Sequence, residues 1–302
     1  MIALLAPGQG SQTPGMLIPW VADPDTEKQL AAWSEVAELD LLRLGTVAET
    51  DEIKDTAVTQ PLVVAAALLA AARLDLPTDV PVAGHSVGEL AALAIAGVIT
   101  PDAAVALAAV RGREMAAACA LEETGMSAVL GGDPEAVLAR LAELGLDPAN
   151  LNGAGQIVAA GPLAALAELA DDPPEKARVK ALPVAGAFHT RFMAPAQEAL
   201  RRHAEGLRTA DPTRPLLSNA DGTVVADGAE ALRRLVDQVT RPVRWDACMD
   251  ALRELGVTAT AELPPAGALT GLVKRALKGT PTLALKTPAD LDAADELIGA
   301  HR

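Results

Sequence analysis

The chain has 302 residues, of which 50% are hydrophobic but only 2% aromatic, and it carries a formal charge of −15 at pH 7. This length allows one large domain or two unequal ones, and the negative charge argues against a nucleic-acid partner, because binding to phosphates requires a basic surface. No apolar stretch is long enough for a membrane span, and the start of the chain lacks the basic region of a secretory leader. Because Cys119 and Cys248 lie far apart without metal-ligand spacing, we expect a cytoplasmic protein without a metal site.

The first 120 residues alternate between strand and helix patterns. The predicted elements are strands over 2–6 and 80–83 and helices over 27–38, 59–74, 89–96 and 101–120. Thr100 and Pro101 are typical of the cap and the first turn of the last of these helices. Alternation on this spacing predicts an α/β fold, a mostly parallel sheet covered by helices on both faces.

Residues 121–185 form a smaller pattern in the order strand, helix, strand, strand, helix, strand. This order is that of the ferredoxin-like fold. We interpret the segment as a small α+β domain inserted into a large domain made of residues 1–120 and 186–302. The elements predicted after the insertion are strands over 215–219, 258–263 and 282–286 and a helix over 231–238.

The stretch PVAGHSVGEL, residues 81–90, joins a predicted strand to a predicted helix and holds glycines at positions 84 and 88. The G-x-S-x-G spacing is that of a nucleophile elbow, a tight turn that exposes a serine hydroxyl and leaves no room for side chains two residues away. The same spacing also arises by chance in chains rich in Gly and Ala. Because the flanking strand and helix give the required context, we predict Ser86 as a nucleophile.

A serine nucleophile needs a base, and histidine suits neutral pH. His85 adjoins Ser86 and should point away from it, since successive side chains of a strand alternate in direction. His203 lies in the charged run RRHAEGLR, and His301 lies in the tail. His189, which follows a turn of small residues in AGAFHTRFM, is therefore the predicted base; the alternative is a capped loop histidine.

Acyl transfer also needs backbone N–H groups that bind the oxyanion. The turn supplies one of them from Val87. The loop PGQGSQ, residues 7–12, has the form required for the second, because its glycines allow close approach of the backbone and Gln9 presents its N–H. The alternative is a simple glycine-rich turn, whereas a phosphate-binding loop is excluded because no G-K-[ST] follows.

Six motifs occur together in the order PGQGSQ, TQP, GHSVGE, VRGREM, NLNGAGQIVAAG and AFH. This set, which spans nearly the whole chain, resembles that of the malonyl-CoA:acyl carrier protein transacylases, and it is also similar to the acyltransferase domains of polyketide synthases. The resemblance implies a hydrolase-like large α/β domain with an inserted ferredoxin-like small domain. It also implies transfer of a malonyl group from malonyl-CoA to the phosphopantetheine thiol of an acyl carrier protein through a malonyl-serine intermediate.

Carried over motif by motif, the resemblance makes Ser86 the nucleophile and His189 the general base. It places the N–H groups of Gln9 and Val87 at the oxyanion. It makes Arg111 the arginine that binds the substrate, and a guanidinium suits this role because malonyl ends in a carboxylate. Without the resemblance, Arg111 could equally be a surface residue of its helix.

The resemblance further implies that the backbone carbonyl of Gln238 orients the histidine, which would explain why no acidic triad partner is evident. It places Asn150 and Gln156 at polar positions near the site. The ring of Phe188, in AFH, would fill the space that an α-methyl group on the substrate needs. Neither a metal nor a resident cofactor is implied.

Two departures from the family pattern are visible. Thr190 stands where the family usually has serine after the histidine, and ELPPAG, residues 262–267, replaces a sequence of the form E-x-G-P-G. Two other functions stay open at this point. One is an α/β-hydrolase-type esterase or thioesterase that uses water as acceptor, and the other is a non-catalytic module that docks carrier proteins.

Overall fold

The structure of the protein is a computed structural model that describes residues 1–301. Its strands are β1 Ile2–Ala6, β2 Val82–Gly84, β3 Thr124–Gly131, β4 Asp147–Gly153, β5 Gln156–Pro162, β6 Ala177–Ala181, β7 Leu216–Leu217, β8 Val224–Val225, β9 Val243–Arg244, β10 Ala259–Glu262 and β11 Thr282–Ala284. Its α-helices are α1 Pro24–Ala37, α2 Leu41–Thr46, α3 Thr50–Ile53, α4 Thr56–Ala71, α5 Gly88–Ile95, α6 Pro101–Cys119, α7 Pro134–Glu143, α8 Leu163–Asp171, α9 Ala194–Ala204, α10 Gly228–Gln238, α11 Trp245–Glu254, α12 Ala268–Ala276 and α13 Leu291–Ala300.

The first sheet has the strand order β11-β10-β1-β2-β7-β8. Neighbouring strands are parallel except for β7 and β8, so the predicted mostly parallel sheet is confirmed. Strand β1 lies at the centre, with Ile2 opposite Ala259 and Leu4 opposite Val82. All five of its residues are buried, which explains why the strand is a continuous apolar run rather than an alternating one.

The second sheet has the strand order β6-β3-β5-β4-β9. Strands β3, β4, β5 and β6 pair antiparallel in the ferredoxin-like order, as predicted. The small sheet also includes a strand from outside residues 121–185. Strand β9 pairs parallel with β4, with Val243 opposite Asn150. It covers an edge of the small sheet that would otherwise be open, and two residues are too few to produce a periodic sequence pattern. The exact domain boundaries stay a prediction.

Helix starts follow the local sequence signals. Thr100 accepts a hydrogen bond from the N–H of Ala103 ahead of α6, and Asp133 accepts one from Ala136 ahead of α7. Both helices have Pro in the first turn, where its missing N–H has no cost. The helix predicted over 59–74 instead begins at Thr56, because the Asp55 side chain caps it through the N–H of Ala57.

Alanine makes up much of the main core. Small side chains let helices approach closely, and α4 and α6 pack directly against each other behind the first sheet. Both helices carry a polar residue into this apolar region, Gln60 on α4 and Arg111 on α6, and both side chains are buried. Their burial places a charged group close to the carboxyl end of β2, where the functional site lies.

Candidate active site

The turn between β2 and α5 has the geometry of a nucleophile elbow. Ser86 adopts a left-handed backbone conformation, with φ of 53°, which is unusual for a residue with a side chain. A Cβ atom on Gly84 would lie 2.1 Å from the carbonyl oxygen of Gly88, and one on Gly88 would lie 2.3 Å from that of Ala6. Only glycine fits at these two positions, so the spacing in the sequence has a steric cause.

His189 lies in contact with this serine. Its Nε2 is 2.7 Å from the Oγ of Ser86, and its Nδ1 is 2.8 Å from the backbone carbonyl oxygen of Gln238. A carbonyl can only accept, so the Nδ1–H donates to it and the Nε2 lone pair faces the serine hydroxyl. The ring therefore has the tautomer that a general base needs without an acidic partner.

The environment of His189 keeps its ring neutral. Burial and, to a smaller extent, the positive charge of Arg111 lower the pKa of the imidazole to about 3, against the opposing effect of the Gln238 carbonyl. A neutral imidazole can accept the proton of the serine hydroxyl at neutral pH.

We expect His189 to stay neutral when the pH falls to about 5, where an ordinary histidine is protonated. The pKa of the folded state lies below the unfolded value of 6.5, so the unfolded chain binds a proton that the folded chain does not. The contribution of His189 to stability should therefore shrink as the pH falls from 6.5 towards 3. Nitrogen NMR of the imidazole ring, assigned by comparison with His189→Asn, would measure this. A protonation midpoint near 6.5 in the folded protein would contradict the expectation.

The guanidinium of Arg111 is buried beside the serine, with only 1% of the residue exposed. Its Nη1 donates to Oε1 of Gln60 at 2.7 Å, and its Nη2 donates to Oε1 of Gln238 at 2.9 Å. Nη2 also lies 3.4 Å from the Oγ of Ser86. Burial lowers the pKa of the guanidinium to about 10, against the opposing charge of Glu89, so the group stays positive at neutral pH.

Within residues 1–301, no carboxylate forms an ion pair with Arg111, and its Nε has no hydrogen-bond partner. A buried cation without a paired anion is costly unless a ligand completes it. A carboxylate is the group that a guanidinium binds best, through two parallel charged hydrogen bonds. The site is therefore built to receive an acyl group with an anionic end.

Two backbone N–H groups predicted for the oxyanion are free in the part of the chain that the structure describes. Neither Val87 nor Gln9 donates a backbone hydrogen bond there. The N–H of His85 donates to the carbonyl of Ala6 at 3.0 Å, which ties the loop after β1 to the elbow after β2. The two free groups thus lie on adjoining turns at the same edge of the sheet, and their role stays a prediction.

Other predicted residues lie farther from the reacting atoms. Phe188 is buried in the main core next to His189. Asn150 is buried on β4, and its side chain makes no hydrogen bond with any described residue. His85 turns away from the serine, as expected, and its Nε2 lies 3.0 Å from Oδ1 of Asn152. No observation tests the predicted roles of Phe188 and Asn150.

Sequence reasoning missed three polar residues that hold the site. Gln60 was recognised only as part of a motif, although a polar residue in the apolar run TQPLVVAAALLAAA is itself a signal. Asn219 follows β7, and its Oδ1 accepts the N–H of Ser86 at 2.8 Å while its Nδ2 donates to the carbonyl of Gly84 at 2.7 Å. Glu89, the second residue of α5, is buried, and burial raises its pKa to about 7.

Two further properties of the described residues concern membrane-spanning helices and metal sites. Among the helices of residues 1–301, none has the length and apolar character needed to cross a membrane. The same residues contain no cluster of three or more His, Cys, Asp or Glu side chains that could hold a metal ion.

The elbow serine, its histidine and the buried guanidinium on an α/β scaffold define an acyl-transferring serine enzyme. The chain matches the acyl transferase domain family over residues 4–295 and belongs to that family. A relative from Mycobacterium tuberculosis, named malonyl CoA-acyl carrier protein transacylase, is 64% identical over 297 residues, which cover 97% of this chain and 98% of the relative.

Solved structures agree with this membership. The crystal structure of MCAT from Mycobacterium tuberculosis is similar with a TM-score of 0.95 and 62% identity, over 98% of this chain and 99% of that one. A structure of a type II PKS acyl-carrier protein in complex with its malonyl-transacylase is similar with a TM-score of 0.90 and 32% identity, over 98% of this chain and 99% of that one. The resemblance found in the sequence motifs is confirmed over nearly the full length.

Proposed function

We propose that this chain transfers a malonyl group from malonyl-CoA to an acyl carrier protein through a malonyl ester of Ser86. One observation carries the proposal: the serine Oγ lies 2.7 Å from the Nε2 of a neutral histidine and 3.4 Å from a buried guanidinium without a carboxylate partner. The first contact activates the nucleophile. The second is the feature that selects an acyl group ending in a carboxylate.

In the first half-reaction, the Oγ of Ser86 attacks the thioester carbonyl while its proton moves to Nε2 of His189. The new C–O bond leaves a tetrahedral intermediate whose oxyanion faces the N–H groups of Val87 and Gln9. The C–S bond then breaks, and the imidazolium returns the proton to the CoA sulfur. The products are free CoA and malonyl-Ser86, with the malonyl carboxylate on Arg111.

The second half-reaction reverses these steps with a different thiol. His189 takes the proton of the phosphopantetheine thiol, the sulfur attacks the ester carbonyl, and the proton returns to Oγ as the C–O bond breaks. The reaction needs no metal and no resident cofactor, since CoA and the carrier protein are substrates. This proposal also places the protein in the cytoplasm, in keeping with its unpaired cysteines.

The surface beside His189 suits an acidic partner. The charged and titratable residues that line a cavity of about 640 Å³ are His189, three arginines (Arg191, Arg201 and Arg241) and two aspartates (Asp147 and Asp237). Arg191 and Arg201 pair with nearby carboxylates, whereas Arg241 forms no ion pair with any residue among 1–301. In a chain with a net charge of −15, a local positive site of this kind supports the docking of a negatively charged carrier protein.

The proposal is tested by following both half-reactions with intact mass spectrometry. Malonyl-CoA alone should add the mass of one malonyl group to the enzyme. When holo acyl carrier protein is added, the enzyme should lose this mass and the carrier protein should gain it. If malonate appears in solution at the same rate with and without carrier protein, the protein is an esterase. If the enzyme never takes up a malonyl group, it is a non-catalytic docking module.

Replacing Phe188 with serine should raise the use of methylmalonyl-CoA relative to malonyl-CoA, because removal of the ring opens space for an α-methyl group. One methyl group in an apolar pocket is worth about 1–3 kcal/mol, so the ratio of kcat/KM values should change by about tenfold or more. Phe192→Ser is the matched control, since Phe192 is the only other phenylalanine of the chain. An unchanged ratio in the Phe188 variant would remove this ring from the pocket wall.

A further inference from the structure

The carboxylate of Glu89 is buried within the active site but faces no cation at ion-pair distance among residues 1–301. Two of the donors to its oxygens hold the nucleophile and Arg111 in place. Oε1 accepts the backbone N–H of Asn219 at 2.8 Å, and Oε2 accepts Nε2 of Gln238 at 2.5 Å. Both partners belong to the site, so this side chain is connected to the chemistry without touching the reacting atoms.

The contact with Gln238 fixes how its amide is turned. Three acceptors surround Nε2 of Gln238, namely Oε2 of Glu89, the carbonyl oxygen of Ser86 and Oδ1 of Asn219, and the contact with Glu89 is the shortest; together they turn the NH₂ group towards Glu89. The amide oxygen then faces the opposite way and accepts Nη2 of Arg111 at 2.9 Å. In the reverse orientation, the NH₂ group would face a guanidinium that can only donate. The place of Arg111 therefore depends on a carboxylate that it does not contact.

The contact with Asn219 leads to the nucleophile. Asn219 holds the N–H of Ser86 and the carbonyl of Gly84, the two ends of the strained turn. Gln238 adds a third connection, because its Nε2 lies 3.1 Å from both the carbonyl of Ser86 and Oδ1 of Asn219. One carboxylate thus organises the amide that holds Arg111 and the amide that holds the elbow.

We propose that Glu89 is a positioning residue for malonyl recognition, which acts by holding the Gln238 amide in the orientation that places Arg111 beside Ser86. This inference rests on the proposed function, since it concerns the group that would bind the malonyl carboxylate. Acetyl-CoA has no such carboxylate, so its transfer to Ser86 gains no ion pair from Arg111. The ratio of malonyl to acetyl transfer is therefore the quantity that Glu89 controls.

Glu89→Gln tests the inference with almost no change of shape. The new amide keeps one acceptor for the N–H of Asn219, but its NH₂ group meets the NH₂ group of Gln238. Gln238 then either turns over, which removes the acceptor of Arg111, or loses the shortest of the contacts that hold its NH₂ group. We expect the ratio of kcat/KM for malonyl-CoA over acetyl-CoA to fall by about 10- to 100-fold, the range typical for one hydrogen bond to a charged group.

Glu262→Gln is the matched control. Glu262 is equally buried, and its carboxylate accepts the backbone N–H groups of Gly267, Leu269 and Thr270 at the start of α12. Loss of this charge should lower the free energy of unfolding and the fraction of enzyme that is active. The molecules that remain active should discriminate between malonyl-CoA and acetyl-CoA as the wild type does. Comparison of the two variants therefore separates the loss of stability caused by neutralising a buried carboxylate from a change in malonyl recognition.

Gln238→Met gives a second, independent test that does not depend on the folding of the Glu89 variant. It removes the amide and keeps the backbone carbonyl that orients His189, so the same fall in the ratio is expected. A wild-type ratio in either folded variant would overturn the role of Glu89 while leaving the proposed function intact. If the wild-type enzyme itself took up no malonyl group, the proposed function would be overturned and the inference with it.

Discussion

Ser86→Ala will abolish the covalent uptake of malonyl from malonyl-CoA. The Oγ of the Ser86 hydroxyl lies 2.7 Å from Nε2 of His189 and 3.4 Å from Nη2 of Arg111. Removing the nucleophile of a serine–histidine unit typically lowers the rate by about 10⁶-fold. Intact mass spectrometry of the variant after incubation with malonyl-CoA should therefore show only unmodified protein.

His189→Ala should slow the same acylation by several orders of magnitude, because members of such a unit act together and their effects do not add. Ser127→Ala is the matched control, since Ser127 is also buried but lies on β3 of the second sheet. That variant should take up malonyl at the wild-type level. Uptake of one malonyl group by folded Ser86→Ala would show that the nucleophile lies elsewhere.

Arg111→Ala will remove the preference of the enzyme for malonyl-CoA over acetyl-CoA. A site built around a buried charged group rejects substrates that leave the group unpaired, by on the order of 10⁴-fold in favourable cases. Without the guanidinium, the malonyl carboxylate enters a buried region with no partner, and acetyl becomes the better substrate. The ratio of kcat/KM values for the two thioesters, measured in single-turnover acylation, reports this change.

Arg113→Ala provides the comparison within the same helix. Arg113 is about half exposed on α6, and it pairs with Glu38 and Glu114 on the surface. Removing this charge should leave the ratio unchanged, because exposed ion pairs contribute little and lie outside the site. If Arg111→Ala kept its malonyl preference, another residue would have to hold the carboxylate.

The sequence predicts those parts of the fold that depend on neighbouring residues. Thr100 and Asp133 mark helix starts because capping is settled within three residues, and the apolar run of β1 indicates a buried parallel strand. Strand β9 has only two residues, and it exists because β4 offers it a partner nearly a hundred residues away. Pairing over such distances leaves no local pattern, so it cannot be read from one sequence.

The same distinction holds at the site. Ser86 is evident from its own turn, because both glycines of the motif are required sterically. His189 follows from elimination among four histidines, and the role of Arg111 needs the whole set of motifs. Asn219 shows no comparable signal and Glu89 is visible only as the last residue of the motif GHSVGE, since the roles of both depend on contacts across 130 residues or more. Because both residues are buried next to the elbow, their hydrogen bonds hold the nucleophile in place.

The central strand β1 precedes both of its neighbours in the chain and is among the last strands to be completed. One edge of β1 pairs with β2, which is synthesised early. The other edge pairs with β10, which is synthesised only when the chain reaches residues 259–262. Contacts of such high sequence separation close slowly, since the entropy of a long loop must be overcome first. During synthesis the nascent chain therefore carries an open apolar strand edge, which is a site for aggregation unless it is shielded. Premature termination before residue 259 should yield insoluble protein rather than a partly active fragment.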